Sequence, residues 1–166
     1  MAENFRSWVW HPPLSGEEEQ SMNIPEYVTA QEVRRVCKEL KIRDWTKLKK
    51  AAVQPKEARA ILARVNPEKM KIPLEDFRQG LEVELEHGTR FPDANVTNNH
   101  PVLTGKIVMA HFKESLDYYK RLEVAELEGD LLKAVRAGKA VKIKDYYKRL
   151  ARAKNALSQA EISQLK

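Results

Sequence analysis

Two short runs stand out for the chemistry their side chains can do. Glu84-Leu85-Glu86-His87 contains Glu-x-x-His, and His111-Phe112-Lys113-Glu114 contains the mirror order, His-x-x-Glu. On an α-helix, residues i and i+3 project from one side, so each run presents a carboxylate and an imidazole together. If two such helices run antiparallel, the opposite orders bring the pairs face to face, and two histidines with two carboxylates suit a zinc or iron ion. Glu-x-x-His is also the repeated element of di-iron carboxylate bundles. Glu84, His87, His111 and Glu114 are therefore the candidate metal ligands, with Glu86, Asp117 and Tyr118 as the groups that would orient them.

Two other readings use the same residues. One is a structural network in which a buried histidine is paired with a carboxylate; the other is acid–base chemistry without a metal. The pattern is short and arises by accident in helix-rich chains. His87 beside Gly88 also suits a helix C-terminus, where the macrodipole favours an imidazolium. That placement sets a geometric condition. His111 would lie ~10 Å into its own helix, so the connecting loop must run back past the end of the first helix to level the two histidines. Other enzyme signatures are missing: there is no Gly-rich phosphate loop, nucleophile elbow or His-Glu-x-x-His, and no supported Cys/His pair. No enzyme class is assigned.

The elements that must carry these residues read as helices. Thr29-Ala30-Gln31-Glu32 has the form of a capping box ahead of Val33, Val36, Cys37 and Leu40. Asp44 caps a short helix holding Trp45 and Leu48, and Pro55 opens another with Ala58, Ile61, Leu62 and Val65 on one side, stopped by Asn66-Pro67. A helix over 74–87 has Leu74, Phe77, Leu81 and Leu85 inward, with Gly88 ending it in a left-handed conformation. Residues 89–103 have the composition of a long ordered loop. Thr104 is expected to cap a long helix to about Val135, its inward side carrying Val108, His111, Phe112, Tyr118, Tyr119, Leu122, Ala125 and Leu132. Gly129 and Gly138 are its candidate breaks, and a basic helix over about 141–157 follows. The expected fold is all-α: a compact helical domain over 27–137 with a long loop between two antiparallel helices, an extended aromatic and proline-rich arm over 1–26, and a basic C-terminal helix and tail over 138–166.

The totals narrow the setting. The 166 residues are 42% hydrophobic and 33% charged, enough for one domain with a real core. No apolar stretch reaches the roughly 20 residues of a membrane span. The first residues lack the basic and apolar regions of a secretion signal, so a cytoplasmic location is expected. Cys37 is the only cysteine, which excludes an internal disulfide and a cysteine-based zinc knuckle. The net charge of +6 is concentrated: between Lys133 and Lys154 nine Lys/Arg face the single acid Asp145. Lys142, Lys144, Lys148, Arg149 and Arg152 form the candidate basic surface, and as a set the nine positives spread round a helix, as on a solvated face. Asp117-Tyr118-Tyr119-Lys120-Arg121-Leu122 recurs as Asp145-Tyr146-Tyr147-Lys148-Arg149-Leu150, which reads as two helices sharing one amphipathic solution. Trp8 and Trp10 in the arm are candidate docking residues.

Taken in order, Gly80-Leu81-Glu82-Val83-Glu84-Leu85-Glu86-His87-Gly88, Asn95-Val96-Thr97, Gly105-Lys106-Ile107, Ala110-His111-x-x-Glu114 and Asp117-Tyr118-Tyr119 resemble a bacterial and phage family known only as a domain of unknown function. The resemblance covers about residues 70–126. It supplies no activity, but it implies that the glutamates, histidines and tyrosines form one site. The functional expectation ranks an accessory or adaptor protein with a protein partner first. A metal-binding helical protein holding zinc or iron comes second, and a weak nucleic-acid binder through the basic segment third. No membrane partner is expected.

Overall fold

A computed structural model describes residues 28–165. The expected arm over 1–26, with Trp8 and Trp10, lies outside the described residues. Within them the chain is all-α: α1 (Ala30–Glu39), α2 (Pro55–Val65), α3 (Leu74–Arg90), α4 (Pro101–Glu114), α5 (Tyr118–Arg136) and α6 (Ala140–Gln164). Short 3₁₀ turns at Trp45–Lys47 and Pro92–Ala94 join α1 to α2 and α3 to α4, and no strand occurs among the described residues. No helix described is long and apolar enough to cross a membrane.

Local signals explain most boundaries. Thr29 accepts a hydrogen bond from the Glu32 amide (3.2 Å), the first half of the capping box. The second half is not made, because the Glu32 carboxylate is engaged by Arg35 at 2.6 and 2.7 Å. Asp44 caps Trp45–Lys47 through the Thr46 amide, and Leu48 closes that turn from outside it. Pro55 opens α2 at a position that needs no amide hydrogen.

The core gathers Val33, Cys37, Trp45, Ala58, Ile61, Phe77, Leu81, Leu85, Val108 and Phe112 between α1, α2, α3 and α4, with Tyr119 of α5 at its edge. A buried carboxylate belongs to this body, with its cationic partner at the surface. Glu57, fully buried, accepts from the Arg43 side chain at 2.8 and 2.6 Å and from the Gln54 amide at 2.9 Å. Burial raises its pKa, but these bonds outweigh that effect and hold the carboxyl below its ordinary value. A second, smaller cluster of Leu127, Leu150 and Ala153 is the seam of the α5–α6 hairpin.

Four expectations are corrected. Gly88 does not end α3, which runs two residues further to Arg90. Its glycine is required by packing: a Cβ there would stand 2.1 Å from Asn99 Oδ1 and 2.7 Å from the Asn95 side chain. Between α3 and α4 the left-handed residues are instead Asn98 and Asn99, a type that tolerates positive φ. Thr104 does not cap the following helix. Residues 92–99 fold into a 3₁₀ turn and a bend, Pro101 opens α4, and His100 Nδ1 accepts from the Val102 and Leu103 amides at 3.2 Å each. The long helix to Val135 is two helices, broken at Ser115–Asp117, while Gly129 lies unbroken within α5 and Gly138 (φ +62°) turns the chain into α6. The break resets the helical phase. Tyr119, Leu127 and Ala134 are buried on α5, whereas Ala125 and Leu132 of the expected inward stripe are exposed.

Candidate functional site

The break between α4 and α5 builds the site. Ser and Asp side chains compete with helical backbone bonds, and here Ser115 Oγ donates to Asp117 Oδ1 while the Ser115 backbone is extended (φ −158°, ψ 133°). Asp117, almost fully buried, also accepts from Arg121 Nε (2.9 Å) and Nη2 (2.8 Å). In one continuous helix His111 and Tyr118 would be ~10 Å apart along the axis. With the break, Tyr118 lies flat on the His111 ring, centroids 4.0 Å apart and planes 11° from parallel. Tyr119 meets the same imidazole edge-on at 5.9 Å.

On α3, Gly80 lets these rings approach. A Cβ on it would be 2.6 Å from the Tyr119 ring and 2.8 Å from Val108. One turn on, Glu84 is thereby within reach of both aromatic residues. Tyr119 Oη donates to Glu84 Oε1 at 3.0 Å. Burial and the adjacent Glu84 charge push the Tyr119 phenol far above its ordinary pKa, so it stays a donor. His111 Nε2 lies 3.5 Å from the same oxygen, and His87 Nδ1 lies 3.8 Å from Glu84 Oε2. On the other edge of the ring, His111 Nδ1 is buried without a hydrogen-bond partner, its nearest carboxylate being Glu114 Oε2 at 3.8 Å.

The sequence-predicted residues thus divide. Glu84 is the centre, touched by His87, His111 and Tyr119, and Tyr118 holds the His111 ring. Glu114 and His87 reach the cluster from exposed positions on their own helices, with about two-thirds of each side chain open to solvent. Glu86 stands at the rim, paired with Arg90 at 3.0 Å. Asp117, expected as an oxygen ligand or orienting group, is spent on Ser115 and Arg121 and does not enter the cluster. Among the described residues, no three His, Cys, Asp or Glu side chains are gathered as a metal-binding group.

Beside Glu84 the surface opens into a cavity of about 370 Å³ lined by Val83, His87, Arg90, His111, Tyr118 and Glu126, among others. Such a volume is within the range of small-ligand pockets. Glu126 is an exposed residue on this rim; the partial burial of its carboxyl raises its pKa from the ordinary value, with Glu86 and Asp130 adding to the rise and Arg90 and His87 opposing it. Glu126 is not among the sequence-predicted site residues, and Tyr119 enters them only through the family resemblance. Both carried a signal: Tyr118, Leu122 and Glu126 repeat every four residues along one side of a helix, and Tyr119 was on the expected inward stripe.

Residues 33–128 match a family described as "Protein of unknown function (DUF5661)", more than half of the chain. The chain belongs to this family. No curated protein and no solved structure matches the chain. The DUF5661 region extends well upstream of the resemblance over 70–126 and takes in most of α1, all of α2 to α4 and the first half of α5. It therefore contains the whole Glu84–His111–Tyr119 cluster and ends before α6. The candidate basic residues Lys142, Lys144, Lys148, Arg149 and Arg152 lie on α6, all exposed.

Proposed function

We propose that the chain is a small accessory protein that binds a larger protein assembly, with the α5–α6 hairpin as its docking arm. The observation that carries this reading is where the hairpin's apolar residues stand. Its seam is satisfied by Leu127, Leu150 and Ala153, yet Leu132 and Val135, one turn apart on α5, are 60% and 52% exposed near the Gly138 turn. Lys133, Arg136, Lys139 and Lys142 surround that turn. An apolar centre with a charged rim is the composition of a protein interface. The fitting occupant is a protein surface of the opposite charge: an apolar patch edged by carboxylates. The helices give the arm reach, α6 alone being ~37 Å long at 1.5 Å per residue.

The test is the native mass of the chain expressed at its natural level. Wild type should travel as a complex well above its own 19.2 kDa, and Leu132→Asp with Val135→Asp should release it as a monomer of unchanged melting temperature. A wild-type monomer, a homodimer, or a complex that survives the double substitution would each refute the reading.

A second reading, metal binding, is favoured by one observation: both oxygens of Glu84 face an imidazole nitrogen, at 3.5 and 3.8 Å. Ligands bonded to zinc at ~2.0–2.1 Å are about 3.4 Å apart in a tetrahedron, so this reading requires the two imidazoles to close on Glu84 from either side and share one zinc or iron ion with it. Elemental analysis of native protein tests it, together with a chelator-dependent melting temperature that His111→Ala abolishes. Metal-free native protein indifferent to chelator would end it.

A further inference from the structure

The exposed side of α6 carries a feature that docking at the hairpin turn does not use. Lys144, Lys148 and Arg152 fall at i, i+4 and i+8, so they form one line ~12 Å long with ~6 Å between neighbours. The line runs on the side of α6 away from the seam residues Tyr146, Leu150 and Ala153, and all three side chains are exposed. Among the described residues none of the three has a carboxylate within ion-pair distance, whereas Lys133 and Lys154 of the same segment pair with Asp130 (3.1 Å) and Glu128 (2.7 Å). Arg149, beside the line, is held over the Tyr146 ring at 5.6 Å. Asp145 is the one acid in the segment. Tyr147, one turn from Lys144, leaves its ring 67% exposed. An unpaired row of cations costs self-repulsion unless a polyanion neutralises it. An open aromatic ring beside a cationic track is the pairing that grips single strands, where the ring stacks on a base and the cations follow the phosphates.

We propose that this face of α6 binds single-stranded nucleic acid, with Lys144, Lys148 and Arg152 on successive phosphates and Tyr147 stacked on a base. The site is separate from the turn residues Leu132 and Val135, so it stands or falls independently of protein docking there. The test is fluorescence anisotropy of the full chain with a labelled 20-nucleotide oligothymidylate across a salt series. Three phosphate contacts give a slope of log affinity on log salt of about −2, or an ~18-fold loss from 50 to 200 mM salt. Replacing Lys144, Lys148 and Arg152 together by Gln should abolish binding, and Lys148→Gln alone should reduce the slope by about one contact. Tyr147→Ala should weaken binding roughly tenfold. A charge-matched control, Lys38, Lys49 and Lys50 each to Gln, should bind like wild type. The proposal is overturned by no binding at 50 mM salt, by equal losses in the two triple variants, by an inert Tyr147→Ala, or by tighter binding to a duplex or to polyglutamate than to the single strand.

Discussion

Replacing Asp117 should loosen the fold and open the site together. Asp117 is 2% exposed and takes three hydrogen bonds, two from Arg121 and one from Ser115. The Arg121 guanidinium is the main reason its carboxyl is held down at about 2, against an ordinary 3.8, with burial opposing and Ser115 assisting. At ~1.4 kcal/mol per pH unit, that depression is worth at most ~2.4 kcal/mol. Arg121 is half open to solvent, so screening leaves ~1–2 kcal/mol. The sign follows from proton counting. Below its ordinary pKa the unfolded chain holds the proton that the folded chain refuses, so this stability is fully present above pH ~4 and is lost as pH falls toward 2. Asp117→Asn keeps the shape and removes the charge. In urea unfolding it should cost ~1–2 kcal/mol at pH 7 and flatten the decline in stability between pH 4 and pH 2 relative to wild type. Asp117→Ala should additionally release the α4–α5 break, and the ring-current shift that Tyr118 imposes on the His111 protons should shrink. If Asp117→Asn stays within ~0.5 kcal/mol of wild type and shows the same acid limb, the carboxylate does not hold the break, and the account of the site's assembly fails.

Other perturbations reach different parts of the same scaffold. His100 caps α4 through a neutral Nδ1 and burial lowers its pKa, so stability should fall as pH drops below about 6.5; His100→Asn should keep the cap without that pH dependence, while His100→Ala should cost ~1 kcal/mol in thermal or urea unfolding. Arg43→Ala leaves the fully buried Glu57 carboxylate without its partner, and unfolding at pH 7 should become easier by ~3–5 kcal/mol. Tyr119→Phe withdraws the donor from Glu84 and should cost ~1–2 kcal/mol in urea unfolding.

Much of the fold was legible because its signals are local. Apolar residues at spacings of three and four, Pro55 at a first turn, and Thr29 and Asp44 at caps each act within one turn of the chain. The end of α3 was misread for a reason that is not local. Gly88 has the residue type of a helix stop, but what makes it glycine is the Asn95–Asn99 bend pressed against it, which the chain reaches only after folding back. The site was legible as a set of residues, since the mirrored Glu-x-x-His and His-x-x-Glu runs meet around Glu84. Its assembly was not. No stretch of apolar spacing announces that Ser115 and Asp117 will divert each other's hydrogen bonds and divide one helix into two.

The repeated sextet shows why residue identity alone does not fix a role. In the first copy Asp117 stands at a helix start, where its carboxylate can be buried against Ser115 and Arg121; in the second, Asp145 lies within α6, where no break exists for it to stabilise. Tyr119 is 3% exposed and holds Glu84, while its counterpart Tyr147 is 67% exposed. Tyr118 covers His111, while Tyr146 packs into the hairpin seam beneath Arg149. Lys120 reaches Asp76 on α3 at 2.6 Å, whereas Lys148 has no carboxylate partner among the described residues. The difference comes from neighbours. The first copy begins α5 against α3 and α4, so both tyrosines and the lysine find core partners. The second lies midway along a helix whose packing is against α5, so one face is buried and the rest is presented to solvent. Six identical residues therefore close a polar site in one place and expose a cationic, aromatic surface in the other.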